Sequence, residues 1–423
     1  MDFVRFGLLA ILPTLALAQH SPRDTPTGAD WARARSVLST TPLIDSHNDL
    51  PWVIRERGTP PRDVDAYDLR KATIGQTDFA RLKAGMVGGQ FWSVYLPGDI
   101  KDSGFARVQL EQIDIAKRMI ARYPDRLELV TSAAGIRGAF ARKHIGSLLG
   151  MEGGHAIENS LGALRAYYDL GARYMTLTHN VTLDWADAAL DSAKHGGLTR
   201  FGEEVVHEMN RLGMLVDLSH VSPGTMSDAL DVTEAPVIFS HSSARALVDV
   251  PRNVPDSILK RMTVNGGVVM VSFVPSFTSP EVYAWSTKHD SVVAASRKQR
   301  GADSAAFRRD TTGWTAANPE PRATLAQVAD HIEHIRDVAG IDHVGIGGDF
   351  DGITAVVVGL EDVSKYPALF AELAHRGWSE GALRKLAGEN LLRAFAQAES
   401  VSKKLRKSRP ASTATIELLD WKR

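Results

Sequence analysis

The chain contains no cysteine among its 423 residues. That absence excludes disulfides, a thiol nucleophile and thiolate metal ligands, so any metal ion must be bound by histidine, aspartate or glutamate. An excess of one charge is also lacking, since the formal net charge is −1, and we therefore expect no nucleic-acid partner. A serine hydrolase is not indicated either, because the sequence has no GxSxG nucleophile elbow.

The apolar run at the N-terminus is short and interrupted. Residues MDFVRFGLLAILPTLALAQH carry one arginine, an apolar stretch and Ala16-Leu17-Ala18, which resembles a cleavable secretory signal over residues 1–18. Asp2 weakens the positive region, so a retained N-terminal anchor is the competing interpretation. The run is too short for a comfortable membrane span. We expect export, to a periplasm or to the outside of the cell.

Short β-type runs alternate with amphipathic helical segments from Pro42 onward. Such alternation predicts a parallel sheet, and eight runs are the number that closes a (β/α)8 TIM-type barrel of the α/β class. A doubly wound open sheet is the rival, but eight units favour closure. The runs are PLIDSHNDLP, MVGGQFWSVYLP, IGSLLGMEGGH, RYMTLTHN, GMLVDLSH, APVIFSHSS, GGVVMVSFV and DHVGIGGDFDG.

The predicted barrel domain spans residues 42–398, after a polar lead-in at 19–41 and before a basic tail at 399–423. Residues 280–322 are polar, charged and poorly periodic, and they are long for a strand-to-helix connection. We expect them to form a long insertion on the active-site rim after strand 7. A closing helix is expected over residues 380–398, and the tail is expected to be solvated and mobile.

Most of the eight runs end in residues that bind metals or transfer protons. The carboxyl ends of parallel barrel strands meet at one rim, so these side chains are expected to share one site. A pair of divalent ions is the simplest reason to gather so many imidazoles and carboxylates, which indicates a metal-dependent hydrolase. The terminal groups are His47, Asp49, Glu152, His155, His179, His220, His241 and Asp349.

Each of these residues also has an ordinary structural interpretation. His47 and Asp49 form an i, i+2 pair that can converge on one ion, yet such triplets are common by chance. Glu152 precedes two glycines, which allow a tight turn, and its two oxygens could bridge two ions. His220 and His241 could each be satisfied strand-end histidines. Only the joint placement of these residues at strand ends favours a metal site.

Eight separate motifs together resemble the membrane (renal) dipeptidase family of zinc peptidases. They occur in the family's order and with similar spacing from about Pro42 to Ala396, which makes the resemblance highly specific. The family has a (β/α)8 barrel with two zinc ions, so the resemblance implies that fold and two Zn²⁺ ions per chain. The motifs are IDSHNDLPW, GGQFWSVYLP, GMEGGH, YMTLTHN, GMLVDLSH, SHSSARAL, PRNVPD and HVGIGGDFDG.

The resemblance implies five metal ligands. His47 and Asp49 would bind the first zinc ion, and His220 and His241 would bind the second. Glu152 would bridge the two ions, and it is therefore also expected to be essential for catalysis.

The resemblance also implies three substrate contacts. His179 would contact the scissile carbonyl or its developing oxyanion, and Asp349 would bind the free amino group and shuttle the proton. Arg252 would bind the free C-terminal carboxylate of the substrate. Spacing alone favours a surface Arg252 paired with Asp249 or Asp256, and only the resemblance reverses that preference.

This chain departs from the vertebrate members of the family. They carry cysteines that link dimers and a C-terminal signal for a glycolipid anchor, and this sequence has neither. We therefore expect any homodimer to be non-covalent. The run VSFVPSF lacks the tyrosine seen near this position in vertebrate relatives, which leaves side-chain preference open. His331 and His334, in HIEH, are expected on the surface of a helix.

The predicted reaction is hydrolysis of the peptide bond in dipeptides with free amino and carboxyl termini, by a hydroxide that bridges two metal ions. A cyclic-amide hydrolase or deaminase of the wider amidohydrolase type is the second interpretation, but those enzymes typically open with HxH and often bridge the ions with a carbamylated lysine. A non-catalytic metal- or peptide-binding protein is the third. The complete ligand set and Asp349 argue against it.

Overall fold

Nine parallel strands form one sheet in the computed structural model, which describes residues 25–100, 104–301 and 303–421. Eight of them close a ring: β1 pairs with both β2 and β9, and β2 pairs with β4. The predicted (β/α)8 barrel is therefore confirmed. The strands are β1 (Leu43–Asn48), β2 (Val87–Ser93), β3 (Leu127–Leu129), β4 (Ile145–Glu152), β5 (Ala172–Thr176), β6 (Leu215–Asp217), β7 (Ile238–Phe239), β8 (Val268–Val271) and β9 (Val344–Ile346).

The strand β3 was not among the eight predicted. It pairs with the first residues of β4, with Leu127 opposite Ile145, whereas β5 pairs with the last residues of β4. It therefore extends the sheet beside the ring and forms no part of the closed barrel. Its three residues run from buried to exposed, so the apolar pattern is too short to stand out in the sequence.

Side chains of β4 alternate between the inside of the barrel and the surrounding helices, as the two-residue period of a strand requires. On β4, Leu148 packs in the inner cluster and Leu149 in the outer one. Tyr174 of β5 is also in the inner cluster, and Gly150 faces its ring so closely that a Cβ there would overlap it. The same alternation carries Glu152 inward at the end of β4.

Sixteen α-helices accompany the strands over the residues that the structure describes. Most begin at a serine, threonine or aspartate whose side chain caps the first turn. Thr199 caps α7, for example, and Gly213 ends it in the left-handed conformation that favours glycine. The helices are α1 (Gly28–Thr40), α2 (Leu50–Arg57), α3 (Phe79–Ala84), α4 (Phe105–Arg122), α5 (Ala133–Ala141), α6 (Leu161–Asp169), α7 (Arg200–Leu212), α8 (Pro223–Val232), α9 (Asp256–Asn265), α10 (Pro275–Thr278), α11 (Pro280–Arg300), α12 (Ser304–Ala317), α13 (Leu325–Ala339), α14 (Tyr366–His375), α15 (Glu380–Arg384) and α16 (Asn390–Ser408).

The insertion predicted at residues 280–322 follows β8, the seventh strand of the ring, as expected. It is not irregular, because α11 and α12 pack against each other as a helical hairpin. Only Val282 and Ser296 are buried on α11, which explains why no apolar period was visible in the sequence. Ser279 caps α11, and Pro280 occupies its first turn.

The C-terminal segment is more ordered than the sequence indicated. The predicted closing helix at 380–398 consists of α15, a π-helical turn at Lys385–Glu389 and α16, which continues through Ser408. The predicted boundary at residue 398 thus lies inside a helix. Beyond it, Ile416 is buried and Asp420 accepts hydrogen bonds from Thr199 and from the Phe201 amide. This segment therefore packs against the start of α7.

The lead-in at residues 19–41 contains α1. The predicted signal peptide at residues 1–18 lies outside the described residues. Over the ranges that the structure describes, no helix combines the length and the hydropathy needed to cross a membrane.

Candidate active site

The eight predicted site residues converge at the carboxyl ends of the barrel strands. His47 is fully buried on β1, and its Nε2 lies 3.2 Å from Asp49, 3.3 Å from Glu152 and 3.9 Å from Asp349. The other seven line one cavity of about 420 Å³. They are Asp49, Glu152, His179, His220, His241, Arg252 and Asp349.

One carboxylate joins two groups of side chains. The Oε2 atom of Glu152 lies 3.3 Å from His47 Nε2 and accepts a hydrogen bond from Ser93 at 3.1 Å. Its Oε1 atom lies 3.0 Å from His220 Nε2 and 3.6 Å from His241 Nε2. The two oxygens of Glu152 thus face different imidazoles, which is the arrangement that a bridging ligand needs.

Hydrogen bonds at Nδ1 determine the tautomers of His47 and His220. Tyr174 donates its hydroxyl proton to Ser46 O at 3.3 Å, so it accepts the Nδ1 proton of His47 at 2.9 Å. Asn180 Oδ1 accepts the Nδ1 proton of His220 at 3.0 Å. When these two rings are neutral, Nε2 is therefore the unprotonated nitrogen, and each ring turns that atom towards Glu152.

The third histidine, His241, is oriented by a two-step hydrogen-bond chain. Ser240 donates its hydroxyl proton to Asp217 at 2.6 Å and accepts the Nδ1 proton of His241 at 2.9 Å. Asp217 is fully buried at the end of β6, where it also accepts hydrogen bonds from Thr176 and from the amides of Ser219 and Ser240. The chain leaves His241 Nε2 unprotonated on the cavity side.

These nitrogen and oxygen atoms are better suited to binding metal ions than to contacting one another. The unprotonated Nε2 atoms of His220 and His241 lie only 2.9 Å apart, a repulsive contact without a cation. His47 Nε2 and Asp49 Oδ1 are buried without hydrogen-bond partners. Imidazole nitrogens and carboxylate oxygens are a zinc donor set. Three sets have donor atoms within 4.8 Å of one another: His47–Glu152–His241, Glu152–His179–His220 and His47–Asp49–Asp349.

Burial and neighbouring charges shift the pKa values of these groups. Burial lowers the pKa of His47, but Tyr174 and the carboxylates of Glu152 and Asp49 outweigh it and hold this pKa well above that of free histidine, so a metal ion at His47 would displace a proton. Burial favours the neutral acid of Glu152, but His47 and His220 outweigh it and hold the pKa of this carboxyl well below its usual value. Burial lowers the pKa of His220 and His241 well below that of free histidine, and Arg252 adds to the effect. An ionised carboxylate and neutral imidazoles are the forms that bind metal ions.

Asp349 is a carboxyl group with the opposite tendency. Burial raises its pKa well above the usual value, and the nearby carboxylates of Asp49 and Glu152 add to the rise against the opposing charge of His47. Asp349 can therefore accept and release a proton at a higher pH than an ordinary aspartate. That property suits a group that transfers protons.

Arg252 brings an unpaired positive charge to the same cavity. Its side chain is 1% exposed, Nη2 donates to His241 Nε2 at 3.1 Å, and Nη1 has no hydrogen-bond partner. The guanidinium also lies over the ring of Phe277, at 5.3 Å from its centroid. Burial lowers the pKa of Arg252 to about 10, so the group remains cationic at neutral pH.

The surface pairing that spacing alone favoured for Arg252 does not occur. Asp249 pairs with Arg245 at 2.7 Å, and Asp256 pairs with His334 at 2.8 Å. Within the described ranges, no carboxylate forms an ion pair with Arg252.

Aromatic side chains form one wall of the cavity. The ring of Tyr95 packs edge-on against His179 and against Trp52, each at a centroid distance of 5.0 Å. Burial raises the pKa of Tyr95 above its usual range, so its hydroxyl stays protonated. Neither Trp52 nor Tyr95 was singled out from the sequence, because aromatic residues beside strands are more often packing residues.

Two other histidines lie in places that the sequence did not indicate. The prediction that His331 lies on a helix surface is wrong, because it is 1% exposed and links the loop after β7 to the end of α10. Its Nδ1 accepts the Ala244 amide at 3.0 Å, and its Nε2 lies 3.1 Å from Thr278 O. His155, although it follows β4, does not line the cavity with Glu152, and its Nε2 lies 3.1 Å from Leu96 O.

A somewhat larger cavity, of about 480 Å³, lies at the other end of the barrel. It is bounded by residues of α1, α3 and α5 and contains one histidine, His144, but no carboxylate. It therefore lacks the donor set of a metal site, and the cavity with Glu152 is the stronger candidate for chemistry.

Comparisons with known proteins agree with this geometry. The sequence matches the profile of the membrane dipeptidase family, peptidase family M19, over residues 31–409. The probable dipeptidase PvdM from Pseudomonas aeruginosa superposes with a TM-score of 0.76 at 23% identity, over 88% of this chain and 99% of that one.

Two further solved structures are similar at slightly higher identity. One is a metallopeptidase from Rhodobacter sphaeroides bound to a phosphinate mimic of the dipeptide L-Ala-D-Ala, with a TM-score of 0.70 and 25% identity over 85% of this chain and 99% of that one. The other is dipeptidase AC, a metallopeptidase of family M19, with a TM-score of 0.69 and 26% identity over 85% of this chain and 99% of that one.

Proposed function

Because the chain belongs to the membrane dipeptidase family, peptidase family M19, and is a metallodipeptidase, we propose that it uses two zinc ions to hydrolyse dipeptides with free amino and carboxyl termini. The observation that carries the proposal is the combination of a two-sided carboxylate, Glu152, with an unpaired buried cation, Arg252, in one cavity.

Five residues would hold the two ions. His47 and Asp49 would bind the first, His220 and His241 the second, and Glu152 both. The opposite placement of the two Glu152 oxygens supports this division. When bound, the ions would supply an activated water at neutral pH and polarise the scissile carbonyl.

His179 is the residue that we assign to the developing oxyanion. It lines the cavity, and its Nε2 lies 3.8 Å from Glu152 Oε1. A hydrogen bond donated by His179 would become stronger as negative charge develops on the carbonyl oxygen. Such an interaction raises the rate because it stabilises the transition state more than the substrate.

Asp349 is the residue that we assign to the proton and to the free amino group. Its raised pKa lets it accept a proton from the attacking water and pass it to the leaving amine. The substrate's ammonium group would lie close to the same carboxylate.

Arg252 would bind the free carboxylate at the other end of the dipeptide. Its planar guanidinium can form two parallel hydrogen bonds with a carboxylate, and Nη1 has no competing partner. Recognition of two opposite charges at a fixed separation would select dipeptides over longer peptides, because a tripeptide would misplace one terminus.

Hydrolysis of Gly-Leu by the purified protein, measured together with its metal content, tests the proposal. We expect two equivalents of zinc, turnover of Gly-Leu, and little turnover of the tripeptide Gly-Leu-Gly. Bound zinc without turnover would instead favour a non-catalytic binding protein. Turnover of cyclic amides in preference to dipeptides would favour the wider amidohydrolase interpretation.

Export of the protein is proposed from its N-terminal sequence. Cleavage after Ala18 would make Gln19 the first residue of the mature chain. N-terminal sequencing of the exported protein tests this, and a mature chain that still begins at Met1 in a membrane fraction would favour an anchor. Any homodimer would be non-covalent, because the sequence has no cysteine.

A further inference from the structure

The loop that carries Asp349 has an unusual backbone. Asp349 and Asp351 both adopt left-handed conformations, with φ values of 60° and 66°. Aspartate tolerates this region better than most residues, but two such residues within three positions require support from the surrounding structure. Gly352 follows them, and a Cβ at that position would overlap the carboxylates of Asp49 and Asp349.

Backbone hydrogen bonds to the first strand support only the beginning of this loop. The Asp349 amide donates to His47 O at 3.2 Å, and the Asp49 amide donates to Phe350 O at 2.9 Å. The next residues, 351–353, have no strand beside them. Because Asp351, Gly352 and Ile353 also line the cavity, something else must hold them in place.

Gln76 makes three hydrogen bonds to this second half of the loop. Its Oε1 accepts the Asp351 amide at 2.7 Å, and its Nε2 donates to Ile353 O at 2.9 Å. In return, the Gln76 amide donates to the Asp351 carboxylate at 2.6 Å. The two segments are 275 residues apart in the sequence. One side chain thus binds the amide of Asp351 and the carbonyl of Ile353.

The segment around Gln76 is itself held firmly. Arg81 donates to Gly75 O at 2.7 Å and to Thr73 Oγ1 at 2.6 Å. Thr77 accepts a hydrogen bond at 2.9 Å from Asn48, which lies between the proposed metal ligands His47 and Asp49. These hydrogen bonds hold the segment that carries Gln76 and link it to the end of β1.

We propose that Gln76 is a positioning residue that holds the loop at 349–353 so that the Asp349 carboxylate keeps its place in the cavity. Gln76 is not among the residues that line the cavity, so it acts through the loop and not on the substrate. The proposal rests on the proposed role of Asp349 in proton transfer, where a displacement of about 1 Å can lower a rate about 100-fold.

The variant Gln76→Met tests the proposal, because methionine keeps the length of the side chain and removes both of its hydrogen bonds. We expect kcat for Gly-Leu to fall about 10- to 100-fold while zinc content and melting temperature stay close to those of the wild type. Hydrogen exchange of the amides at 349–353 should become faster. An unchanged kcat, unchanged exchange in this loop, or loss of zinc would each overturn the proposal.

The matched control is Gln327→Met. Gln327 accepts a hydrogen bond from the Thr324 amide at 2.9 Å in the cap of α13, away from the cavity, and its substitution should leave kcat unchanged. A fall in kcat equal to that of Gln76→Met would mean that general loosening causes the effect, and would overturn the proposal.

A double variant separates this proposal from the assigned role of Asp349. If Gln76 acts through Asp349, Gln76→Met should cost nothing further in an Asp349→Ala background. A full additional loss there would overturn the positioning role. Wild-type kcat in Asp349→Ala alone would instead remove the proton-transfer assignment, and faster loop exchange in Gln76→Met would then still show that Gln76 holds the loop.

Discussion

At the scale of single residues, the unpaired charge of Arg252 is the feature that most directly concerns the substrate. Arg252→Lys keeps the charge but loses the planar pair of donors that matches a carboxylate. We expect kcat/KM for Gly-Leu to fall about 10- to 100-fold, which corresponds to about 1.5–3 kcal/mol for a hydrogen bond between charged groups. Zinc content should stay normal.

The C-terminal amide of the same dipeptide is the control for Arg252. It lacks the carboxylate, so the wild type should hydrolyse it poorly and the substitution should cost little more. Equal losses on the free and the amidated dipeptide would show that Arg252 supports the fold and not the substrate.

Glu152 is the residue whose charge holds the proposed pair of ions together. Glu152→Gln keeps the shape of the side chain and removes its negative charge, so we expect loss of at least one zinc ion and of nearly all activity. Metal analysis by mass spectrometry measures this directly, with Glu204→Gln as the control, because Glu204 is a half-buried residue of α7 that does not line the cavity. A Glu152→Gln protein with two zinc ions and normal turnover would contradict the two-metal assignment.

At the scale of elements, the ends of β6 and β7 cooperate to orient one histidine. Ser240→Ala removes the link between Asp217 and His241 and leaves the buried Asp217 with one hydrogen bond fewer. Loss of such an orienting partner typically weakens metal binding about 10- to 100-fold. Competition with a chelator should show one weakened site and one unchanged site.

The control for this element is Ser222→Ala, which removes the cap of α8 on the same side of the barrel. It should cost about 1 kcal/mol of stability and leave zinc affinity unchanged. If Ser240→Ala also leaves zinc affinity unchanged, the hydrogen-bond chain has no role in orienting His241.

The helix α13 carries a buried histidine that makes stability depend on pH. Burial lowers the pKa of His331 to about 4, below the value of about 6.5 in an unfolded chain. The unfolded state therefore binds more protons than the folded state between these pH values. The free energy of unfolding keeps its full value above about pH 6.5 and decreases as the pH falls towards 4. The loss attributable to His331 is on the order of 3 kcal/mol.

Urea unfolding of the metal-free protein at pH 7.5 and pH 4.5 measures this effect without interference from metal release. His331→Gln, which cannot gain a charge, should lose less stability between the two values than the wild type. An equal loss in both proteins would mean that His331 does not titrate in this range.

At the scale of the whole molecule, the proposed metal ligands join strands from distant parts of the barrel. Removal of the ions by a chelator should therefore destabilise the entire fold, since ligands that bind only the folded state stabilise it by mass action. Free zinc at 1000 times its Kd would contribute about 4 kcal/mol. Calorimetry should show a lower melting temperature after chelation and recovery after zinc is added, and an unchanged melting temperature would argue against tight binding.

Much of the barrel could be predicted because its signals are local. Most of the apolar runs end in a residue that can bind metals or transfer protons, as with Glu152 after Met151, and parallel strands place all such ends on one rim. The helical hairpin of α11 and α12 was not predicted, because its residues bury little surface and so show no apolar period. The order of the C-terminal segment depends on contacts such as Asp420 with α7, which no local pattern reveals.

The sequence by itself determined the barrel, the rim and the histidines and carboxylates gathered there, since these follow from strand period and from the chemistry of imidazole and carboxylate groups. Arg252 was expected there only from the family resemblance. Only the tertiary structure decided what orients them: Tyr174 behind His47, Ser240 and Asp217 behind His241, and Gln76 beside Asp351. Most of these partners are far apart in the chain, up to 275 positions for Gln76 and Asp351. A hydrogen bond depends on distance and direction in space, which local sequence patterns do not encode.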